Sequence, residues 1–463
     1  MSPADSATSP VAFATSPLPL SATFDGGRLT SDGGLPWLGE ADAALGGLCE
    51  ALAARVPEWR RGPVRHSLST LVRQRVFQIA CGYEDQDDAD TLRRDPLLKL
   101  LCGRLPEAEA DDLASQPTFS RLENAPDRHA CYRLVQALVE VYLRERERDG
   151  APARLVLDLE GTDDPTHGEQ EGTAYHGYYR QHMYHPLLVF DGSTGQLIAA
   201  ILRPGTAHDN RGVLTFLKRL VPKVRGRWPE VKIELRADSG FAAPKLYDYC
   251  EAEGIEYTIG LPTNARLQDL AAPQLAEAQS QHATAAAAAA AAAQGEKGEG
   301  DDAQKVRLVG EGRYRADSWE RERRVVFKTE ILPKGPNVRF VVTSRTADAP
   351  LALYDWYVDR GEAEGWVKDL KNACFADRLS CMRFWANQFR LLLHAAAYWL
   401  VDTLRRWLVR AGSARRQLDT LRLELVKVGG RVYQWSSRVR LRLASSHPGQ
   451  ALWELLAARS GRA

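Results

Sequence analysis

Three carboxylates stand where an acid is costly unless something pairs with it. Asp158 lies near the end of an apolar run, Arg154-Leu-Val-Leu-Asp-Leu-Glu160. Asp238 ends a second run, Val231-Lys-Ile-Glu-Leu-Arg-Ala-Asp238, directly before Ser239-Gly240, and Glu364 opens a helical stretch much further along the chain. A carboxylate between apolar neighbours is desolvated, which is unfavourable unless it is paired or binds a cation. Two strand acids and one helix acid meeting at a point would form a hard-oxygen cage suited to Mg²⁺ or Mn²⁺. Two such ions about 3.5–4 Å apart can clamp the attacking and leaving oxygens of a phosphoryl displacement. One isolated Asp is more commonly a cap or an ion-pair partner, so the reading depends on what surrounds the three.

Tyr357, Arg360, Glu364 and Lys371 follow the pattern Y-x2-R-x3-E-x6-K. At about 100° per residue, Arg360, Glu364 and Lys371 share one narrow helical arc, and Tyr357 joins it if the helix starts early. An acid flanked by a phenol and two cations suits a phosphate backbone, with Arg forking onto phosphate and Lys acting as a point charge. The plainer use is a surface helix with an Arg360–Glu364 pair, worth a few tenths of a kcal/mol. Gly361 and Gly365 speak against a helix built for stability and permit close approach of another backbone.

The elements that must carry these residues are legible from periodicity. Residues 1–20, with four prolines among small polar residues, read as a disordered leader. Residues 21–150 read as helical, with an i, i+3, i+4 stripe through Leu68, Leu71, Val72, Arg75, Val76 and Ile79. From Pro152 the texture becomes three strands (Arg154–Leu159, Leu187–Phe190, Gln196–Leu202), then helix, strand, helix, strand. That is the order of a ribonuclease-H-like α/β core, assigned to 151–262 and 351–410. Residues 263–350 read as a β-rich insertion, with strand-like runs at 313–319, 323–331 and 338–344. They follow the alanine run at 284–293, a low-complexity linker or isolated helix. Residues 411–463 read as a basic tail, in which Arg438, Arg440 and Arg442 alternate with apolar residues as in a hairpin with a basic face.

Composition bounds the class. The chain has 463 residues, 44% hydrophobic and 26% charged, which excludes wholesale disorder, collagen and a disulfide scaffold. Its net charge is only +1, but from Thr403 onward twelve Arg and one Lys face three acids, an asymmetry that suits a polyanion. The seven cysteines form no CxxC pair and read as reduced. His167, His176, His182 and His185 match no standard zinc spacing, and Asp163, Asp164 and His167 read as a polar loop or as support for the acids. Tyr175, Tyr178, Tyr179 and Tyr184 could stack on unpaired bases or pack in a sheet. The absence of a basic, apolar leader and of a long apolar span leads to the expectation of a soluble, cytoplasmic, nucleoid-associated protein.

The chain resembles the DDE transposases of bacterial insertion sequences, in the branch marked by a Y-R-E-K signature and within it the family numbered thirteen-eighty. The resemblance is carried by Gly82-Tyr-Glu-Asp85, Ser115-Gln-Pro-Thr-Phe-Ser-Arg-Leu-Glu-Asn124, Leu157-Asp-Leu-Glu-Gly-Thr-Asp-Asp-Pro-Thr-His-Gly168, Arg236-Ala-Asp-Ser-Gly-Phe241, the Y-R-E-K run and Lys427-Val-Gly-Gly-Arg431. It implies a ribonuclease-H-like core interrupted by a β-strand insertion. Asp158, Asp238 and Glu364 become a triad holding two Mg²⁺ (or Mn²⁺) ions, and Tyr357, Arg360 and Lys371 become DNA-end contacts. The implied activity is endonucleolytic cutting at the ends of a mobile element and transfer of the freed 3′ hydroxyls into target DNA. The implied partners are double-stranded DNA, as terminal inverted repeats and target, and a second copy of the chain. A domesticated DNA-binding protein without catalysis, or a nuclease without strand transfer, would share the same scaffold.

Overall fold

The computed structural model describes residues 10–13, 17–293, 306–332 and 334–459. The chain divides into two units, Leu138–Lys368 and Met1–Ala137 with Asp369–Ala463.

The central unit is built on an eight-stranded mixed sheet. Its strands are β1 (Arg154–Gly161), β2 (Leu187–Asp191), β3 (Gln196–Ile201), β4 (Lys232–Ala237), β5 (Glu256–Leu261), β6 (Val306–Tyr314), β7 (Arg323–Leu332) and β8 (Gly335–Thr343). Their spatial order is β6-β7-β8-β5-β4-β1-β2-β3. β1, β4 and β5 run parallel, whereas β2 pairs antiparallel with both β1 and β3. With α1 (Val213–Arg227) between β3 and β4, and α2 (Pro244–Ala252) between β4 and β5, this part has the succession of elements expected of a ribonuclease-H-like core. β1 is central and buried on both faces, which is why it reads as a nearly continuous apolar run in which an acid stands out.

The strands of the segment read as a β-rich insertion inside the core prolong this sheet. β8 pairs antiparallel with β5, from Thr258↔Thr343 to Leu261↔Phe340, so the edge of the parallel part is covered by the chain's own strand. The strand expected at 313–319 lies earlier, at Val306–Tyr314. After it, Trp319 turns inward against Tyr247 and Tyr314 beneath the Arg323 guanidinium, a cluster that periodicity does not reveal. The alanine run is helical, as the end of α3 (Ala265–Ala293), in keeping with alanine being the best helix former. Residues 294–305, the rest of the expected linker, lie outside the described residues. α4 (Pro350–Val358) seats Leu353 and Tyr354 on Val326 and Val341 of β7 and β8, so the added strands hold the helix that leads to the Y-R-E-K residues.

An element not foreseen lies between β1 and β2. Asp164–Pro165, Ala174–His176 and Gln181–Tyr184 form a small three-stranded flap with Gln181–Tyr184 in the middle.

The other unit contains the helices Leu35–Ala44, Leu48–Ala53, Leu68–Ala80, Pro96–Leu101 and Gln116–Asn124. Two starts follow capping chemistry: Ser67 Oγ accepts from Thr70 N, and Asp95 accepts from Leu97 and Leu98 N ahead of Pro96. Arg75, in the middle of an otherwise apolar stripe, is fully buried and bonded to Glu123 at 3.0 Å. The helix Phe384–Arg410, read from sequence as part of the catalytic core, belongs to this unit and packs on Leu68–Ala80. It is buried nearly all round from Ala386 to Arg405, as an interior helix must be. Gly430–Gln434 and Val439–Leu443 form a hairpin that pairs with Leu29–Thr30. The expected leader lies partly outside the described residues, and where described, Val11–Phe13 pairs with Leu20–Ala22.

Candidate active site

Register decides which acids meet. β1 and β4 are parallel neighbours in which Asp158 stands beside Arg236 and Leu159 beside Ala237. One step further, Glu160 in β1 therefore stands beside Asp238, at the carboxyl ends of both strands. Side chains two apart on a strand share a face, so Asp158 and Arg236 form an inner row and Glu160 and Asp238 an outer one.

The inner row is closed. Arg236 clasps Asp158 through both guanidinium arms, Nε to Oδ1 and Nη2 to Oδ2, each at 2.7 Å, and its third nitrogen donates to the Trp356 carbonyl at 2.7 Å. Asp158 is 0% exposed and Arg236 3%. Burial pushes Asp158 up to about 6 against the pull of Arg236. Gly192 lies over the pair, where a Cβ would fall 2.5 Å from Asp158 Oδ2.

The outer row is charged and partly open. Burial pushes Glu160 up to about 7, opposed by Arg360 and reinforced by the charge of Asp238. Arg360 Nη1 donates to Glu160 Oε1 at 2.5 Å. Burial works against the Arg360 cation, but Glu160, Tyr357 and Asp238 outweigh it and raise its pKa. Asp238 is also raised, by burial and then by the charge of Asp209, although its Oδ1 accepts from Gly240 N at 2.9 Å. Asp209 is wedged between the loops that follow the two strands. A Cβ on Gly161 would fall 2.2 Å from its Oδ1, and one on Gly240 would fall 2.0 Å from its Oδ2. His185 Nε2 reaches Asp209 at 3.1 Å, and Arg203 stands at 3.8 Å. These partners outweigh burial and hold Asp209 below the usual carboxylate range.

The Y-R-E-K residues are contiguous but do not form one helix. Tyr357 ends α4, Arg360 sits in a single 3₁₀ turn (Asp359–Gly361), and Glu364 and Lys371 lie on α5 (Glu362–Cys374). Tyr357 donates to the Ala237 carbonyl at 3.3 Å, and the Arg360 guanidinium lies 5.9 Å from its ring. Trp366 anchors the start of α5 against Phe190 and over Gly195, where φ is +71° and a Cβ would fall 2.7 Å from the Trp366 ring. Glu364, on the other side of α5, is exposed.

The expected meeting of Asp158, Asp238 and Glu364 is therefore absent. Among the described residues, no three His, Cys, Asp or Glu side chains stand together in a way that could hold a metal ion. Asp158 is turned into its ion pair with Arg236, and Glu364 faces solvent. What the structure brings together is Glu160, Asp238, Arg360, Tyr357 and Asp209. In donor type and excess negative charge, Glu160 and Asp238 fit a hard divalent cation. Sequence reasoning missed Glu160, Asp209 and Arg236. The signal for the first and last was present: Glu160 shares the face of Asp158, and Arg236 shares that of Asp238, one row closer to the sheet interior. Nothing local marks Asp209. In the other unit, Arg438, Arg440 and Arg442 are all exposed on the hairpin, Arg438 over Trp435 at 4.9 Å and Arg442 over Tyr433 at 5.5 Å.

Comparison with known proteins adds an independent line. Among solved structures, the chain is similar to a piggyBac transposase synaptic complex with hairpin DNA. The identity is 11%, the TM-score 0.41, and the match covers 86% of this chain and 80% of the other. No curated protein matches it. No described helix is long and apolar enough to cross a membrane. The model of the transposase DDE domain group 1 family matches residues 14–462, so nearly the whole chain is accounted for, and the protein belongs to that family of DDE transposases.

Proposed function

We propose that the protein cuts DNA at the ends of a bacterial insertion sequence of the Y-R-E-K branch and transfers the freed 3′ hydroxyls into target DNA. The observation that carries the reading is the outer row: Glu160 and Asp238, side by side at the carboxyl ends of two parallel strands, with Arg360 and Tyr357 over them. Open α/β sheets bind ligands beyond the carboxyl ends of their strands, and a cluster of burial-raised acids beside a cation is a functional-site signature.

Glu160 and Asp238 would hold Mg²⁺ or Mn²⁺, and Glu364, exposed at the start of α5 and not gathered with them, would join the donor set only on moving toward them when DNA and metal bind. A bound pair of such ions supplies activation of water or of a 3′ hydroxyl and stabilises the leaving oxygen. Arg360 then exchanges its Glu160 carboxylate for a DNA phosphate, to which its planar fork is suited. Tyr357, tied to the Ala237 carbonyl, fixes the direction of Arg360. Lys371 and the exposed Arg438, Arg440 and Arg442 contact the DNA backbone. Asp158 keeps Arg236 neutralised and the two strands in register. The partners are terminal inverted repeats, target DNA and a second copy of the chain in a synaptic complex, in the bacterial cytoplasm at the nucleoid.

A DNA-binding protein without catalysis is the second reading, favoured by the lack of a three-acid cluster among the described residues. Pre-cleaved duplex ends carrying free 3′ hydroxyls, mixed with protein, Mg²⁺ and plasmid, separate the readings. Joined product is the expected result. Cutting without joining leaves a nuclease, and binding alone leaves the second reading.

A further inference from the structure

The flap between β1 and β2 carries rings outward from the acids. Asp209, against Gly161 and Gly240, is bonded to His185 at 3.1 Å, and the other nitrogen of His185 is 2.9 Å from the Ala207 carbonyl. The His185 ring lies 5.3 Å from that of His176 and 6.1 Å from that of Tyr179. Tyr179 in turn meets Tyr178 edge to face at 5.0 Å and 87°. Tyr178 ends this ladder at the tip of the turn and is 84% exposed; Tyr175, on the adjoining strand, is 59% exposed. Tyr184, by contrast, is buried and donates to the Glu171 carbonyl at 2.8 Å.

Two features show that this tip is held rather than loose. Arg180 closes the turn in the left-handed region, at φ 56°, with its N–H bonded to the His176 carbonyl at 2.7 Å. A non-glycine residue there costs roughly 1–2 kcal/mol, so its surroundings must impose it. The flap root is pressed against its neighbour, since a Cβ on Gly205 would fall 2.2 Å from the Met183 carbonyl. A large exposed ring on a backed turn, next to an exposed cation, suits a base for the ring and a phosphate for the cation. Duplex DNA hides the faces of its bases, so the occupant this chemistry selects is unpaired.

We infer that Tyr178, supported by Tyr179 and flanked by Arg180, stacks on an unpaired nucleobase of the DNA next to the cut, with the flap as a single-strand binding site of its own. This deepens the reading above and rests on its DNA partner, but not on catalysis. The test is fluorescence of a short oligodeoxynucleotide carrying one 2-aminopurine, added without metal to full-length protein, as a single strand and as the same sequence in a duplex. The expected result is quenching of the single strand by wild type and by Tyr178→Phe, with Tyr178→Ala losing the quenching and binding about tenfold more weakly, the size of one base–aromatic stack. A thermal melt of Tyr178→Ala matching wild type keeps the comparison fair. Wild-type quenching by Tyr178→Ala would overturn the inference, as would a change in oligomeric state without loss of quenching, which would make the tip a protein contact. Quenching by a protein that never cleaves would leave the inference standing and remove the catalytic reading instead.

Discussion

Asp158 and Glu160 differ by two positions and by what neutralises them, and the difference predicts opposite kinds of failure. Asp158→Asn leaves the buried Arg236 without its anionic partner. Removing one member of a buried pair typically costs about 3–5 kcal/mol, so this variant is expected to melt well below wild type. Glu160→Gln removes charge from a row that already carries an excess of it. It is expected to fold and bind DNA but to lose at least about 100-fold in cleavage, and thermal melts beside cleavage rates separate the two variants. The site was half legible: Asp238 is where the strand ends, whereas choosing between two acids on one face needs the register that puts Arg236 beside the first. Asp209 was not legible, because its role comes from packing against Gly161 and Gly240. That packing predicts that Gly240→Ala, whose Cβ would fall 2.0 Å from Asp209 Oδ2, displaces a carboxylate held by His185 and Arg203. Cleavage is expected to drop at least about tenfold with DNA binding retained. A fully active variant would show that Asp209 yields freely.

At the scale of elements, the core strands and the helices between them could be read from periodicity, because a central parallel strand is apolar throughout and α1 has a clear apolar stripe. The insertion could not be placed, since which edge a strand joins is decided by pairing partners distant in sequence. β7 and β8 form the bed of α4, which ends at Tyr357 just ahead of the turn that carries Arg360. The flap was missed because strands of two to four residues carry little pattern. The terminal hairpin is the element whose role is most open to direct measurement. Arg438, Arg440 and Arg442 are exposed, and substituting all three by Gln is expected to flatten the dependence of log K on log salt by up to about 0.9 for each phosphate that is no longer neutralised. An unchanged slope would assign the hairpin to packing against protein.

At the scale of the whole molecule, stability should depend on pH through buried histidine. His394 is fully buried with Nδ1 against the Cys374 carbonyl, and burial, then the Arg390 and Arg75 charges, hold its pKa well below the usual value. A folded pKa below the unfolded one means that the unfolded chain takes the proton first. The stabilisation is therefore complete above about pH 6.5 and is lost as pH falls, by up to about 1.4 kcal/mol per unit. Melting should accordingly fall between pH 7 and pH 5, and less steeply in His394→Gln; equal slopes would contradict this origin.

Whether acids at the ends of two parallel strands cut DNA is decided with Asp238→Asn. The measurement is Mg²⁺-dependent cleavage of a duplex carrying the inverted repeat that flanks the gene, alongside the affinity of the same duplex without metal. The variant is expected to bind with wild-type affinity and not to cleave. Cleavage at the wild-type rate would contradict that role for the acids.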